Sequence, residues 1–403
     1  MSFLGQEIKK RLSALGKRKV VVGIPSYNNE GTIAHVVQQA GKGIIEHFDR
    51  DGMILNCDGG STDRTREVFM ETDTLSIPKL SFQYEGVPGK GSALIAMVDA
   101  AYAVGAQALV FVDSDLRSVT PEWIYRLAKP ITDGKASYVT PSYRRHKYDG
   151  TITNQICYPL TSVLYGTEVR QPIGGDFGVS RQMMEVYLAE PKETWRGDAA
   201  RFGIDIWMTT LAINEGQAPV YQAALGAKIH DVKDPGKHLG PMFTQVVGTL
   251  FSLMDRYQEK WSAYAQRPVQ APIFGEPVET RVEPLDVDLE NLKRKARSGA
   301  AKIEAFLRSS LPPEFLAIVD RVLRKGVCDS SDWLRFVFLI SKKTQVPSEK
   351  EQWMESLIPF YYARVASFVE ATLESTEEEA ELAIRKQVCL AYTMKGELAE
   401  VWK

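Results

Sequence analysis

Hydrophobic and polar positions alternate between two rhythms in the first half of the chain. "KVVVGIPSY" is a continuous β-branched run, the pattern of a strand buried on both faces. "NEGTIAHVVQQAGKGIIEHF" then repeats its apolar residues at helical spacing. The same exchange recurs. "GMILNCDGG" reads as a second strand, and "STDRTREVFMET" opens a helix with Ser61 or Thr62 as its cap. "LSFQYEG" is a third strand, "GKGSALIAMVDAAYAVGA" a helix rich in small residues, and "QALVFVDSD" a fourth strand. The order βαβαβαβ predicts an α/β fold with a mostly parallel sheet and helices on both faces. Ligands of such sheets bind at the carboxyl ends of the strands. The unusual polar stretches all fall there: "PSYNNE", "DGGSTD", "GVPGKG" and "DSD".

After Ala136 the pattern is mixed, with "SYVTPSYRR", an apolar helical stretch "TNQICYPLTSVLYG", then "PIGGDFGVS" and the strand-like "PVYQAAL" leading into "AKIHDVKDPG". A helix is expected from about Thr244 to Trp261. The four-proline segment "RPVQAPIFGEPVETRVEP" reads as an extended connector. Beyond about Leu285 helical periodicity dominates, with apolar stripes such as "LIPFYYARVASF" too rich to leave in water. This reading gives an N-terminal helix (1–18), a catalytic domain (19–243, divided near 136), a helix and connector (244–284) and a helical C-terminal domain (285–403). The last would pack on the catalytic domain or on a second copy, most simply in a homodimer.

Composition narrows the class. The 403 residues are 44% hydrophobic and 25% charged, with a net charge of −2, which points to no nucleic-acid partner or anionic membrane surface. No apolar run reaches the roughly 20 residues of a membrane span. The basic, amphipathic N-terminus has no apolar core or cleavage site of a signal peptide. Four scattered cysteines show no metal-type spacing, and a reduced, cytoplasmic setting fits them.

The candidate chemistry lies in the four strand-end loops. Asp113 and Asp115 leave an apolar strand two residues apart; on an extended backbone both would point the same way and share a divalent cation, Mg2+ or Mn2+. A turn is the alternative. Asp58 is placed to accept an N–H from a nucleobase, or to form the Asx turn usual for Asp before Gly. Lys90 has a glycine on each side, which would let a phosphate approach the backbone. Glu30 and Pro25 shape the loop after the first strand, although Glu30 by itself reads as a first-turn helix acid. Of five histidines, His230 follows an apolar stretch and is the one placed to close a metal shell.

The set "IPSYNNE", "DGGSTD", "GKGSAL", "FVDSD", "PIGGDFGVS" and "IHDVKDPG" resembles the GT-A (Rossmann-like) nucleotide-sugar glycosyltransferases. Within them it is most similar to the retaining family of glucosyl-3-phosphoglycerate, mannosyl-3-phosphoglycerate and glucosylglycerate synthases. The resemblance runs from about Lys19 to Gly240. It implies Asp115 as main metal ligand with His230 as second, and Asp113 beside the ribose and donor sugar. Pro25, Tyr27, Glu30, Asp58, Lys90 and Ser114 would hold the nucleotide. Gly174, Gly175 and Asp176 would line the reacting sugar, and Asp205 would face sugar and acceptor.

Phosphoglycerate-using members carry an arginine in a "GRxT" segment that holds the acceptor phosphate. Here "DGTITN" stands at that place, with Gly150, Thr151 and Thr153 as acceptor-binding candidates and Thr151 where the arginine would be. Threonine lacks the charged fork that suits phosphate, so the sequence leans towards glycerate, with 3-phosphoglycerate next and Arg144, Arg145 or Lys147 as compensating cations. The expected activity is hexose transfer from UDP-glucose or GDP-mannose to a small hydroxy acid. The rivals are a sugar-1-phosphate nucleotidyltransferase, for which the loop after strand one lacks the glycine- and arginine-rich sequence, a glycosyltransferase acting on glycolipid or polysaccharide, and a non-catalytic nucleotide-sugar sensor.

Overall fold

The structure, a computed structural model, describes residues 3–230, 235–277, 280 and 282–403. Contacts divide the chain into two compact units, neither of them continuous in sequence. The first comprises Met1–Arg144, Val169–Pro235 and Gln270–Val282; the second comprises Arg145–Glu168, Gly236–Val269 and Glu283–Lys403.

The first unit opens with helix α1 (Gln6–Leu15) and strand β1 (Val20–Ser26), followed by α2 (Ile33–His47), β2 (Gly52–Asp58), α3 (Thr65–Glu71), β3 (Lys79–Gln83), α4 (Lys90–Ala103), β4 (Ala108–Phe111), α5 (Pro121–Thr132) and β5 (Tyr138–Arg144). The second unit takes the next helix, α6 (Tyr158–Tyr165). The chain then returns to the first unit with β6 (Phe177–Ser180), α7 (Arg181–Ala189), α8 (Ile204–Glu215), β7 (Val220–Ala227) and, after a further excursion, β8 (Ile273–Phe274). The eight strands lie in the order β8-β7-β5-β6-β4-β1-β2-β3. All neighbours are parallel except β6, which runs antiparallel to both β4 and β5.

The first four strands therefore pair as the sequence implies, with β1 central between β2 and β4. Val20, Val22 and Ile24 of β1 face a core completed by Val36, Val37 and Ile44 of α2 and Ile124 and Leu127 of α5. On the opposite face Gly23 is closely packed: a Cβ there would sit 3.1 Å from Met97 of α4 and from Phe111, which would have to shift to admit it. That close approach explains the small residues of α4, ten of whose fourteen residues are buried.

Several local expectations change. The connector is not simply extended, because Ile273 and Phe274 pair with Gln222 and Ala223 and add an edge strand to the sheet. Neither Ser61 nor Thr62 caps α3. Its first turn begins at Thr65, and the Arg64 N–H is satisfied by the Glu30 carboxylate at 2.9 Å, so Glu30 serves the neighbouring helix rather than its own. The helix expected from Thr244 starts nearer Pro235: α9 spans Pro235–Arg256 and α10 spans Gln258–Ala263.

The second unit is helical. To α6, α9 and α10 it adds α11 (Leu289–Lys302), α12 (Glu304–Ser310), α13 (Leu316–Lys325), α14 (Ser330–Lys343), α15 (Lys350–Ala371), α16 (Glu377–Thr393) and α17 (Lys395–Trp402). A π-helical turn, Thr153–Cys157, precedes α6, and every one of its residues is buried. This apolar stretch folds with the helices rather than with the sheet because its buried backbone finds partners there. The Gln155 carbonyl accepts from the Trp333 indole at 2.7 Å and the Gln387 amide at 2.9 Å. The stripe of α15 that suggested a second copy is already buried within this unit, where α15 packs on α11, α13 and α14. The dimer argument from that stripe thereby loses its premise. Among the described residues no helix is long and apolar enough to cross a membrane, and all four cysteines are free thiols.

Candidate active site

The strand-end loops are built chiefly by short polar side chains bonding backbone groups. In the loop after β1, Asn29 accepts the Tyr27 N–H at 3.0 Å and the Ser114 hydroxyl at 2.8 Å, while Thr32 donates to the Ser114 carbonyl at 2.8 Å. Ser114 is therefore buried and held from two sides. Pro25 is half-buried at the end of β1, and Tyr27 projects with 61% of its surface exposed. Asp58 forms the turn: one oxygen accepts the N–H groups of Gly60 and Ser61, at 3.0 and 2.8 Å, and the other accepts the hydroxyls of Ser26 and Ser61, at 3.0 and 2.6 Å. A nucleobase N–H could join only by displacing one of the two hydroxyls.

The expected sharing of one cation by Asp113 and Asp115 does not follow from an extended strand. β4 stops at Phe111 and the chain turns at Ser114, so the two residues do not lie on one extended strand. Asp113 is gripped by two ammonium groups: Lys90 donates to one oxygen at 2.9 Å and Lys228 to the other at 2.8 Å. Asp115 is 7% exposed, and the next residue, Leu116, forms an antiparallel bridge with His230. The bridge is extended by the Arg117 N–H to the Ile229 carbonyl, 2.9 Å, and the Ile229 N–H to the Ser118 hydroxyl, 2.9 Å. Backbone pairing thus brings the His230 segment alongside the Asp115 loop. Of the motif "IHDVKDPG", residues 231–234 lie outside the described residues.

The glycines beside Lys90 have a different use from the one expected. A Cβ on Gly91 would lie 1.9 Å from the Ala199 carbonyl, and one on Gly89 would lie 2.4 Å from that of Ala200. They admit the backbone that precedes α8, not a ligand, and that packing sets Lys90 near Asp205. The Lys90–Asp205 separation is 3.5 Å, an ion pair too long to satisfy the buried Asp205 oxygen, which retains an open acceptor position. Burial raises the Asp205 pKa, opposed chiefly by Lys90. Burial also disfavours charge on Lys90, but Asp113 and Asp205 outweigh it and the ammonium is held firmly protonated.

The turn before β6 closes this cluster. Gly175 has φ +83°, and a Cβ there would fall 2.1 Å from an Asp113 oxygen, so only glycine fits. Gly174 packs on Pro141, where a Cβ would come within 2.5 Å of the ring. Asp176 is fully buried; it accepts the Asp113 N–H at 2.9 Å, Lys228 at 2.9 Å and the Tyr143 hydroxyl. Burial raises its pKa, against the pull of Lys228. Tyr143 is aimed at it where the β5–β7 register shifts between Ser142 and Tyr143. Sequence reasoning missed Lys228 and Tyr143. Lys228 stands two residues before His230, at the end of an apolar strand, which is the same signal that drew attention to Asp113 and Asp115.

Among the described residues no group of three or more His, Cys, Asp or Glu side chains is arranged to hold a metal alone. The Leu116–His230 bridge sets the backbone of His230 beside that of the residue after Asp115, so a carboxylate and an imidazole, both donor types a divalent cation accepts, stand on neighbouring segments.

The acceptor candidates belong to the second unit. Gly150 has φ +65°, and the Arg145 guanidinium lies 3.1 Å from where its Cβ would be. Arg145 also pairs with Asp149 at 3.6 Å. Thr151 shares a 2.5 Å hydrogen bond with the buried Tyr361 hydroxyl, and Thr153 is buried in the π-helical turn. Lys147 is committed elsewhere: its ammonium donates to the carbonyls of Thr372, Leu373 and Ser375 at the end of α15, at 2.7, 3.1 and 2.7 Å.

Residues 21–186 match the family model Glycosyl transferase family 2. A glucosyl-3-phosphoglycerate synthase of Mycobacterium tuberculosis is 26% identical over 266 residues, covering 62% of this chain and 77% of that protein. A crystal structure of the M. tuberculosis enzyme with Mn2+, UDP and phosphoglyceric acid is 27% identical, covers 62% of this chain and 83% of that one, and has a TM-score of 0.47. Another, with Mg2+ and UDP, is 26% identical, covers 63% and 85%, and has a TM-score of 0.46. The stretch that the family model matches, residues 21–186, carries the strand-end loops described above, and over it the chain is similar to the family 2 glycosyltransferases.

Proposed function

We propose that the protein transfers glucose from UDP-glucose to the hydroxyl of a three-carbon acid, 3-phosphoglycerate, with retention at the anomeric carbon. The observation that carries the donor half is the cluster at the strand ends: Asp113 held between Lys90 and Lys228, with Asp115 and the His230 segment paired alongside. Pro25, Tyr27, Glu30, Asp58 and Ser114 would form the nucleotide side. Asp115 and His230 would hold Mg2+ or Mn2+, which when bound supplies Lewis-acid stabilisation of the departing diphosphate.

The remaining work falls to this chain. Lys90 has one hydrogen bond to Asp113, which Lys228 also holds, and a longer pairing with Asp205, so it would turn to a phosphate oxygen by giving up those two contacts. The open acceptor position of Asp205 suits a sugar or acceptor hydroxyl. No protein base is required if the acceptor hydroxyl approaches on the face the diphosphate leaves and passes its proton to a departing phosphate oxygen. Catalysis then rests on positioning and electrostatics.

For the acceptor, Gly150, Thr151 and Thr153 would carry the acid, and the Arg145 guanidinium beside Gly150 supplies the charge that Thr151 lacks. This supports 3-phosphoglycerate, as in the names of the curated relatives. Unphosphorylated glycerate is the second reading, favoured by the Arg145–Asp149 pairing, which already neutralises that guanidinium. The test incubates the protein with UDP-glucose or GDP-mannose, each acid and Mg2+, and weighs the products. Glucosyl-3-phosphoglycerate is expected, with Arg145→Ala raising the Michaelis constant for the acid about tenfold or more. Product from glycerate alone would select the second reading; no product from any pair would remove the acceptor assignment.

A further inference from the structure

The ammonium of Lys228 has three N–H donors, and three acceptors receive them: Asp113 at 2.8 Å, Asp176 at 2.9 Å and the Gly174 carbonyl at 2.6 Å. Its side chain is 5% exposed and runs past the Tyr143 ring, with the ammonium 5.3 Å from the ring centre. The acceptors come from two separate loops, the one after β4 and the one before β6. Those loops touch through the Asp113 N–H on Asp176 and through Gly175, which tolerates no side chain against Asp113. Lys228 is the pin that closes them.

Lys90 shares Asp113 but differs in every other respect. It is 20% exposed, and of its two partners only Asp113 is within hydrogen-bond distance. Turning Lys90 outward breaks one hydrogen bond and the longer Asp205 pairing, and leaves Asp113 still paired with Lys228. Turning Lys228 outward would leave the fully buried Asp176 without a cation and take donors from Asp113 and the Gly174 carbonyl as well. The two lysines are therefore not interchangeable.

We infer that Lys228 is a positioning residue that fixes Asp113 and the Gly174–Gly175–Asp176 turn against the reacting sugar, leaving Lys90 as the cation that engages the diphosphate. This rests on the reading of the site as a UDP-glucose site. The arrangement makes sugar alignment and choice of hexose depend on Lys228, and diphosphate affinity depend on Lys90.

The experiment compares wild type, Lys90→Met, Lys228→Arg and the double variant Lys228→Met/Asp176→Asn. The double variant avoids an unpaired buried carboxylate, and Lys228→Arg keeps the charge while its planar fork cannot meet three acceptors around one point. UDP affinity is measured in Mg2+ by calorimetry, and turnover is measured with UDP-glucose and UDP-galactose. Lys90→Met should bind UDP at least about tenfold more weakly, the effect of a lost charged hydrogen bond. Both Lys228 variants should keep UDP affinity within about threefold, lose about 100-fold in kcat, as a small misplacement does, and lose much of their preference for UDP-glucose over UDP-galactose. The inference is overturned if the Lys228 variants weaken UDP as much as Lys90→Met does, or if they fold and keep both kcat and hexose preference. A wild-type protein that binds no UDP and hydrolyses no UDP-glucose removes the UDP-glucose reading itself, and the inference with it.

Discussion

The two units bury polarity in opposite ways. In the sheet unit, five ionisable side chains (Asp113, Asp176, Asp205, Lys90 and Lys228) are drawn together at the strand ends, each at most 21% exposed. In the helical unit, among the described residues, the ion pairs keep at least one partner about a third or more exposed. Arg308–Glu304, Arg335–Glu397 and Arg385–Glu381 all join partners that are a third or more exposed. Its interior is aromatic, with Trp261, Trp333, Trp402 and Tyr361 fully buried. The buried cation there, Arg364, donates to a neutral amide, Gln387, at 2.9 Å, and burial pushes its pKa down to about 10. Exposed pairs contribute little to stability, and buried pairs often cost more than they return. A region that concentrates buried charge is therefore arranged for a ligand, while one that keeps charge at its rim is arranged for packing.

The comparison breaks first, and by the largest margin, at Asp115. Asp115→Ala should abolish nearly all transfer while thermal melting stays close to wild type. Near-normal turnover would remove the metal assignment and with it the functional reading of the buried charge. The counterpart in the helical unit is Trp333→Ala, which deletes a fully buried indole and its bond to the Gln155 carbonyl. Urea unfolding should show a loss of about 3–5 kcal/mol; a loss under 1 kcal/mol would mean that this interior is not what holds the unit together.

Asp58→Ala sharpens the contrast. The carboxylate serves both the turn and, in the proposed role, the nucleobase, and its removal should weaken UDP by about 1–3 kcal/mol in calorimetry. Unchanged affinity would show that Asp58 shapes its turn and nothing more. The smallest effect concerns Lys395, which donates to the Val163 and Tyr264 carbonyls and whose pKa burial pushes down to about 8. Because the unfolded chain holds this proton more tightly than the folded one, stability should rise with pH between about 8 and the ordinary lysine value of 10.5. Below about 8 the cost of burying the charge applies in full. The rise should disappear in Lys395→Met, and identical pH profiles for the two proteins would refute it.

Much of the sheet could be read from residue order because its signals are local. Val20–Ser26 and Gly52–Asp58 are apolar runs as long as the strands they form. The helical second half was equally plain from its periodicity. Less was visible in strand β6, whose four residues, "FGVS", carry no mark of direction, and in Ile273–Phe274, hidden among prolines. At the site, the types and order of Asp113, Asp115, Lys90 and Asp58 were legible, since carboxylates and lysines at strand ends have few structural uses. The uses of the glycines at 89 and 91 were not, because the backbone they admit arrives from a hundred residues away.

By itself, then, the sequence determined the alternation of strands and helices, the strand-end location of the chemistry and the family resemblance, all of which depend on side chains acting over a few neighbouring residues. Tertiary structure alone decided three further matters. It gave the segment 145–168 to the helical unit, because buried backbone such as the Gln155 carbonyl finds its donors on α14 and α16. It placed Asp113 between two lysines, because the strand stops at Phe111 and the segments carrying Lys90 and Lys228 pack against the loop that follows. It also brought in Lys228, a residue 115 positions from Asp113, because a buried carboxylate must be paired and the pairing partner is chosen by proximity in space.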